Sequence, residues 1–282
     1  MNQNWLSTLI LSSNLCIFTF ILLLEKTLSV HPKYEACVPK DCGDVQNISY
    51  PFFIKGLQEP FCGFPRFELT CSNYSGYPHP VLKTPDNDYI VQDICYNNNS
   101  LRVSNAAVFG SDSDMSAGCL PQIGNVTLES DGFVFDNSSS LFLFSNCTPP
   151  LPMELSRYEI RCEAENGGDW DLAMFGDDRN LSLAVEKCGA GVVAPVELYG
   201  GDERNGVGNY VELLRRGFLV NWKAADCSVC KESGGRCGFD LDIYNFRCYC
   251  PDRPHAWRCT PSKFSLSSYL YLCCLSLSLS PE

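Results

Sequence analysis

Fifteen of the chain's eighteen cysteines lie between Cys37 and Cys259, and no other feature narrows the fold as much. Disulfides persist in oxidising compartments, and a cysteine-dense chain there closes its loops with bridges instead of relying on one large core. The export signal stands at the start: Leu6 to Leu24 is mostly apolar and uncharged, and Glu25, Lys26 and small residues up to Ser29 follow. Residues 1–29 are therefore expected to be a signal peptide. Because no Lys or Arg precedes the apolar run, a retained membrane anchor stands as the alternative. Seven Asn-x-Ser/Thr acceptors, at Asn47, Asn73, Asn98, Asn125, Asn137, Asn146 and Asn180, agree with passage through the secretory pathway. Asn146 is the weakest of them, because Cys147 is the middle residue of its triplet and an early bridge there would block it.

The expected bridge-formers are Cys37, Cys42, Cys62, Cys71, Cys119, Cys147, Cys162, Cys188, Cys227, Cys230, Cys237, Cys248, Cys250 and Cys259. Fifteen is odd, so at least one thiol is unpaired, bridges to another chain or pairs with Cys273 or Cys274 in the tail, and Cys95 in "QDICYNNNS" is the candidate. Who pairs with whom is not readable from sequence.

Between the cysteines, short runs rich in Val, Ile, Phe, Tyr and Leu alternate with Gly, Pro, Asn, Asp and Ser clusters. "ISYPFFI", "RFELTC", "PVLKT", "DYIVQDICY", "SLRVSNAAVF", "GFVF" and "SLFLF" read as strands. In "RFELTC", Phe67 and Leu69 alternate with Arg66, Glu68 and Thr70, the period of a half-buried strand. The proline cluster Pro149–Pro152 suits a connector. Beyond it, "NYVELLRRGFLVNW" predicts a helix with Tyr210, Leu213 and Leu214 on one face, capped by Asn209 and ended by Gly217, followed by a strand. The expected fold class is mainly β and disulfide-rich, as two small Cys-rich domains over 30–148 and 158–259, with an atypical tail over 260–282. In that tail the uncharged run Phe264 to Pro281 is broken by serines, and a weak membrane segment, a removed anchor signal and a splice terminus all stay open.

The formal charge of −12 is uneven: residues 30–110 carry −2, residues 111–226 carry −11 and the remainder +1. Nucleic acid and anionic membrane surfaces demand cationic faces, so neither is an expected partner. The constellations that could carry chemistry are weak. Cys227-x2-Cys230 with Cys248-x-Cys250 has zinc-like spacing, but an oxidised secreted chain favours disulfides. Asp112-x-Asp114-x-Ser116 resembles the start of a calcium loop, yet Ala117 and Ile123 stand where Gly and Glu are required. "NGVGN" at 205–209 is a turn, not a phosphate cradle. His31, His79 and His255 lie at the mature terminus and in proline-bearing loops, outside any hydrolase motif. Carboxylates such as Asp177 and Asp178 are plentiful, but nothing in the sequence sets two of them face to face. No cofactor, resident metal or catalytic residue is expected.

Two stretches carry a resemblance. "CVPKDCGDVQNISYPFFIKGLQEPFCGFPRFELTCSN" with "YIVQDICYNNNSLRV" resembles the galacturonan-binding module of plant wall-associated receptor kinases. "LLRRGFLVNW" with "DCSVCKESGGRCGFDLDIYNFRCYCPD" is similar to the C-terminal module of that family, especially in leaf-rust resistance-locus receptor-like kinases. The six cysteines over 227–259 resemble an EGF-like hairpin module, which implies pairing of first with third, second with fourth and fifth with sixth. The resemblance implies an extracellular ectodomain that engages galacturonan or pectin ahead of a kinase. No His-Arg-Asp or Asp-Phe-Gly motif occurs in this sequence, so the expectation is an ectodomain-only form. Galacturonan is anionic and this chain is acidic, so binding must rest on local cations or on calcium bridging carboxylates of both partners. Lys55, Arg66, Lys83 and Arg102 are the expected clamps, with Arg66 favoured for its bidentate fork. Tyr50 and Phe64 could stack on sugar rings, although Tyr50, Phe52, Phe53 and Phe64 read better as an aromatic core. Protein recognition through the EGF-like end, by a membrane receptor partner or as a secreted decoy, is the alternative; a carbohydrate-active enzyme comes third.

Overall fold

The computed structural model describes residues 30–109, 120–126, 128, 132–135, 139–161, 170–199 and 210–260. The expectations for residues 1–29, Cys119, Asn137, Cys162, Asn209, the loop from Asp112, the glycines of 205–209 and the tail beyond Thr260 lie outside these residues. The elements begin with α1 (Pro32–Ala36), β1 (Lys40–Cys42), β2 (Val45–Ile48), β3 (Phe53–Ile54), β4 (Glu68–Tyr74), β5 (Tyr77–Lys83), β6 (Asp88–Cys95) and β7 (Ser100–Asn105). Then come β8 (Phe133–Phe135), β9 (Ser139–Phe144), β10 (Glu159–Arg161), β11 (Trp170–Phe175), α2 (Leu181–Cys188), β12 (Val192–Val196), α3 (Tyr210–Arg216) and β13 (Phe218–Trp222). The chain closes with α4 (Ser228–Glu232), β14 (Arg236–Asp240), β15 (Asn245–Tyr249) and β16 (Pro254–His255). The mainly β, disulfide-rich class expected from sequence is the class found.

The compact units divide elsewhere than at the prolines. One unit is Pro39–Ala225; the other joins the N-terminal segment up to Val38 to the C-terminal segment from Asp226. Within the first unit a seven-stranded sheet runs β3-β4-β5-β6-β7-β13-β8, and a four-stranded sheet runs β10-β11-β9-β12. β13 pairs with β7 on one side and β8 on the other, so a strand from beyond Pro152 completes the sheet begun before it. Conversely β9, which precedes the prolines, lies between β11 and β12. The physical reason is burial. Val220 and Trp222 face inward on β13 and join Phe52, Phe67, Leu69, Leu82, Val91, Leu101, Val103 and Phe133 in one apolar cluster. Phe52 meets Trp222 edge-on at 4.9 Å, and Phe67 meets Phe133 at 4.8 Å. Each such side chain contributes roughly 1.5–3 kcal/mol when fully buried.

Two stretches fold differently from their reading. "ISYPFFI" is not one strand: β2 ends at Ile48, the chain turns through the cis Tyr50–Pro51 peptide, and only Phe53 and Ile54 pair with β4, in parallel. Buried Gln58 holds this bend, accepting from the Ile54 N–H at 2.9 Å and donating to the Ile48 carbonyl at 3.2 Å. "YPHP" is not a loop: Tyr77–Pro80 opens β5, and His79 pairs with Ser72 of β4. Its prolines are accommodated because β6 pairs only with Val81, Leu82 and Lys83, leaving the earlier part of β5 as an edge.

The C-terminal unit is a small disulfide knot. Cys227–Cys237, Cys230–Cys248 and Cys250–Cys259 form the pairing that the EGF-like resemblance implies. Gly235 is packed so tightly that a β-carbon there would lie 2.4 Å from the Cys248 sulfur. The segment before Val38 docks on this knot. The His31 N–H donates to the Pro251 carbonyl at 2.8 Å, and the Arg236 guanidinium lies 4.0 Å over the Tyr34 ring while donating to the Tyr34 carbonyl. His31 also caps α1, its Nδ1 accepting from the Lys33 N–H at 3.2 Å.

As expected, the helix α3 buries Tyr210, Leu213 and Leu214. Gly217, at φ +72°, reverses the chain so tightly that a β-carbon would sit 2.0 Å from the Val103 carbonyl oxygen. Gly76 also has positive φ but open space around it. Gly76→Ala should therefore cost roughly 1–2 kcal/mol of backbone strain, and Gly217→Ala clearly more, because β13 must also shift off β7. Equal losses of stability in denaturant melts of the two variants would contradict this packing.

Candidate functional site

The cations expected to clamp a ligand separate into two environments. Lys55 follows β3, and its Nζ lies 2.9 Å from the Glu68 carboxylate, with both side chains substantially exposed. Lys83 ends β5. One step beyond the Leu69↔Leu82 pair, the antiparallel register sets it beside Glu68, and on its other side it pairs with Asp88 of β6. Directly paired residues share a face of the sheet, so Lys55, Glu68, Lys83 and Asp88 form a row of alternating charge across four strands. Neighbouring strands are about 4.8 Å apart, which spreads this row over roughly 15 Å. Arg66 is exposed two residues before Glu68, in a left-handed conformation at φ +77°. Half-buried Phe64 lies two residues before Arg66, its ring 5.4 Å from that of Phe67. Lys55, Phe64, Arg66 and Lys83 thus gather at one end of the large sheet.

Two expected contacts do not belong there. Tyr50 is 3% exposed, and burial, against a hydrogen bond with the Ala225 backbone, pushes its hydroxyl up to about 12. It is a core residue with no face to offer a sugar. The packed reading of Phe52 and Phe53 holds as well, at 0% and 5% exposure. Arg102, on β7, is engaged inside the protein. Its guanidinium donates to the Glu197 carboxylate, and also to the Tyr199 hydroxyl at 3.2 Å, while Tyr199 donates to Glu197 at 2.8 Å. The Arg216 guanidinium covers the Tyr199 ring at 5.1 Å. Burial opposes the charges, but the mutual hydrogen bonds and attraction prevail: Arg102 is held above its ordinary value and Glu197 below its own. Arg102 is therefore a structural ion pair, and its partner, 95 residues away, carries no local signal in sequence.

Elsewhere the candidate chemistry is accounted for by structure. Each of the six cysteines over 227–259 is bridged, which leaves no thiolate for zinc or redox exchange there. Cys42–Cys71 and Cys147–Cys188 are also bridged, Cys37 and Cys62 are disulfide-bonded, and Cys95 is free and half-buried, as its odd count suggests. His255 lies on β16 beside the Asp252 carboxylate at 3.2 Å. Asn47, Asn73, Asn98, Asn125 and Asn146 are exposed, whereas Asn180 is half-buried in the turn ahead of α2. Asn73 lies at the far end of β4 from Glu68, so a glycan there would leave the charge row open.

Comparison with known proteins matches two family profiles. The one described as "Wall-associated receptor kinase galacturonan-binding" covers residues 37–105, and "Wall-associated receptor kinase C-terminal" covers 161–253. By these two matches the chain resembles the ectodomain of wall-associated receptor kinases. It is 34% identical over 245 residues to the Arabidopsis thaliana leaf rust 10 disease-resistance locus receptor-like protein kinase-like 1.2, covering 84% of this chain and 35% of that protein. It is 26% identical over 256 residues to the like 2.1 protein of the same plant, covering 86% and 38% respectively. The chain thus spans little more than a third of the length of these relatives. No solved structure matches it.

The Arg102–Glu197 pair joins segments from the two matched regions, and its pH signature follows from sign. A carboxylate whose folded value is depressed adds stability above its unfolded value and loses it as pH falls through the folded one. Glu197→Gln should cost roughly 1–2 kcal/mol near neutrality, and the gap to the parent should close in acid, below the depressed value. A gap constant down to the lowest pH reached in denaturant titrations would refute the ion-pair assignment.

Proposed function

We propose that this chain is an extracellular, non-catalytic ectodomain that binds acidic cell-wall polysaccharide, galacturonan or pectin, at the Lys55–Arg66–Lys83 end of its large sheet. The observation that carries the reading is that exposed Lys55 and Lys83 flank Glu68, with exposed Arg66 two residues before it, in the segment that matches the galacturonan-binding profile. The Glu68 carboxylate already accepts from Lys55, so a uronate carboxylate can exchange with it there. Arg66 offers the bidentate fork, Lys55 and Lys83 point charges on either side, and Phe64 a partly exposed ring. Glu68 and Asp88 offer carboxylates that calcium would bridge to uronates, as a shared ligand and not as a resident cofactor.

A second reading has its own observation. On the EGF-like hairpin Leu241, Ile243 and Tyr244 are 52%, 54% and 66% exposed, and Trp257, stacked on Phe246 at 5.6 Å, is 62% exposed. Solvent-facing aromatic and aliphatic anchors of this kind suit a protein partner such as a second membrane receptor.

Retention of the purified chain on immobilised polygalacturonate tests the first reading. Arg66→Ala should weaken binding about tenfold and Lys55→Ala with Lys83→Ala further, with retention falling as salt rises. Arg102→Lys, inside the ion pair, should leave it unchanged. Retention insensitive to salt and to Arg66 would overturn the cation reading; loss on adding a chelator, with Arg66→Ala silent, would replace it with calcium bridging.

A further inference from the structure

The smaller sheet carries a groove that neither matched description assigns. Ser139 and Ser140 at the start of β9, Phe142 further along it, and Gly176 with Asp177 just after β11 enclose an open cavity of about 360 Å³. That volume lies at the small end of ligand pockets, and its openness suits one unit of a chain more than an enclosed small molecule.

Its construction is specific. The Gly176 N–H donates to the Ser140 carbonyl at 2.8 Å, fixing the two walls against each other. A β-carbon at Gly176 would come within 3.0 Å of the Phe142 ring and 3.4 Å of the Ser140 β-carbon, so any other residue there would fill the groove. Phe142 is half-buried and stacks on fully packed Phe144 at 6.1 Å and 20°, which sets the apolar wall. Asp177 projects from a turn closed by the Asp178 N–H on the Phe175 carbonyl at 3.1 Å. The neighbouring Asp178 carboxylate accepts from the Tyr158 hydroxyl and from the Asn180 N–H at 2.8 Å, with Arg157 at 3.7 Å.

We propose that this groove is a second carbohydrate site, selective for an uncharged sugar unit. One ring wall, two serine hydroxyls that donate or accept and one carboxylate that accepts match a sugar's apolar C–H face and its neighbouring hydroxyls. Selectivity follows from charge. Among the described residues no Lys or Arg lines the groove, Asp177 repels a uronate, and the sequence 111–226 carries −11. The site is independent of the galacturonan reading, because it uses the other sheet and the opposite charge preference.

Titration of the full chain with cellotetraose, xylotetraose, galactotetraose and tetragalacturonate, read by saturation-transfer NMR and calorimetry, tests it. At least one neutral tetrasaccharide should bind. Asp177→Asn should weaken that binding about tenfold and Gly176→Val abolish it, while tetragalacturonate binding stays at the parent level in both. Circular dichroism establishes that each variant is folded, and Asp177→Asn, an exposed isosteric change, decides the matter if Gly176→Val is not. Absence of binding by all three neutral sugars, neutral binding indifferent to Asp177→Asn, or loss of tetragalacturonate from these variants would each overturn the proposal.

Discussion

The pairing of β13 with both β7 and β8 is the constraint on which the rest of this structure depends. It places Trp222 on Phe52 and Val220 among the leucines and valines of the earlier strands, so the sheet that presents Lys55, Arg66 and Lys83 is finished by residues more than a hundred positions later. Non-local pairing of this kind pays its loop-closure entropy before any contact forms. The Arg102–Glu197–Tyr199 network adds a polar tie between the same distant segments. The parts of the two profile-matched regions that fall within Pro39–Ala225, residues 39–105 and 161–225, are thus structurally interleaved in one unit.

The candidate face has an economy of charge that suits a weak, reversible ligand. Alternating Lys55, Glu68, Lys83 and Asp88 keep one another solvated and oriented without burying any charge. A protein carrying −12 overall approaches an anionic polymer against its own field, so contact must be short-ranged and sensitive to ionic strength. The groove by Asp177 has the opposite character, and together the two sites would let one module meet both acidic and neutral stretches of a wall polysaccharide.

Much of the local structure was legible because its causes are local. Alternation in "RFELTC" and the spacing of Tyr210, Leu213, Leu214 and Gly217 marked β4, α3 and its stop, and the EGF-like resemblance supplied three bridges. What stayed hidden depended on distance. The proline-rich Pro149–Pro152 stretch has the composition of a linker, yet burial of Val220 and Trp222 carries the fold across it. Arg102 looked like a clamp because Glu197 and Tyr199 are not its sequence neighbours, and Tyr50 looked like a stacking ring although it is buried with its hydroxyl on the backbone of distant Ala225. "ISYPFFI" read as a continuous strand because the bend held by Gln58 lies in side-chain hydrogen bonds that composition does not report.

Hydrogen exchange on the isolated fragment 30–148, against the same amides in the full chain, tests the interleaved fold most directly. Without β13 the amides of Leu101 and Val103 should lose their protection and the fragment should lack a cooperative melt. A fragment that keeps native protection on β4 to β7 and unfolds cooperatively by itself would contradict the account.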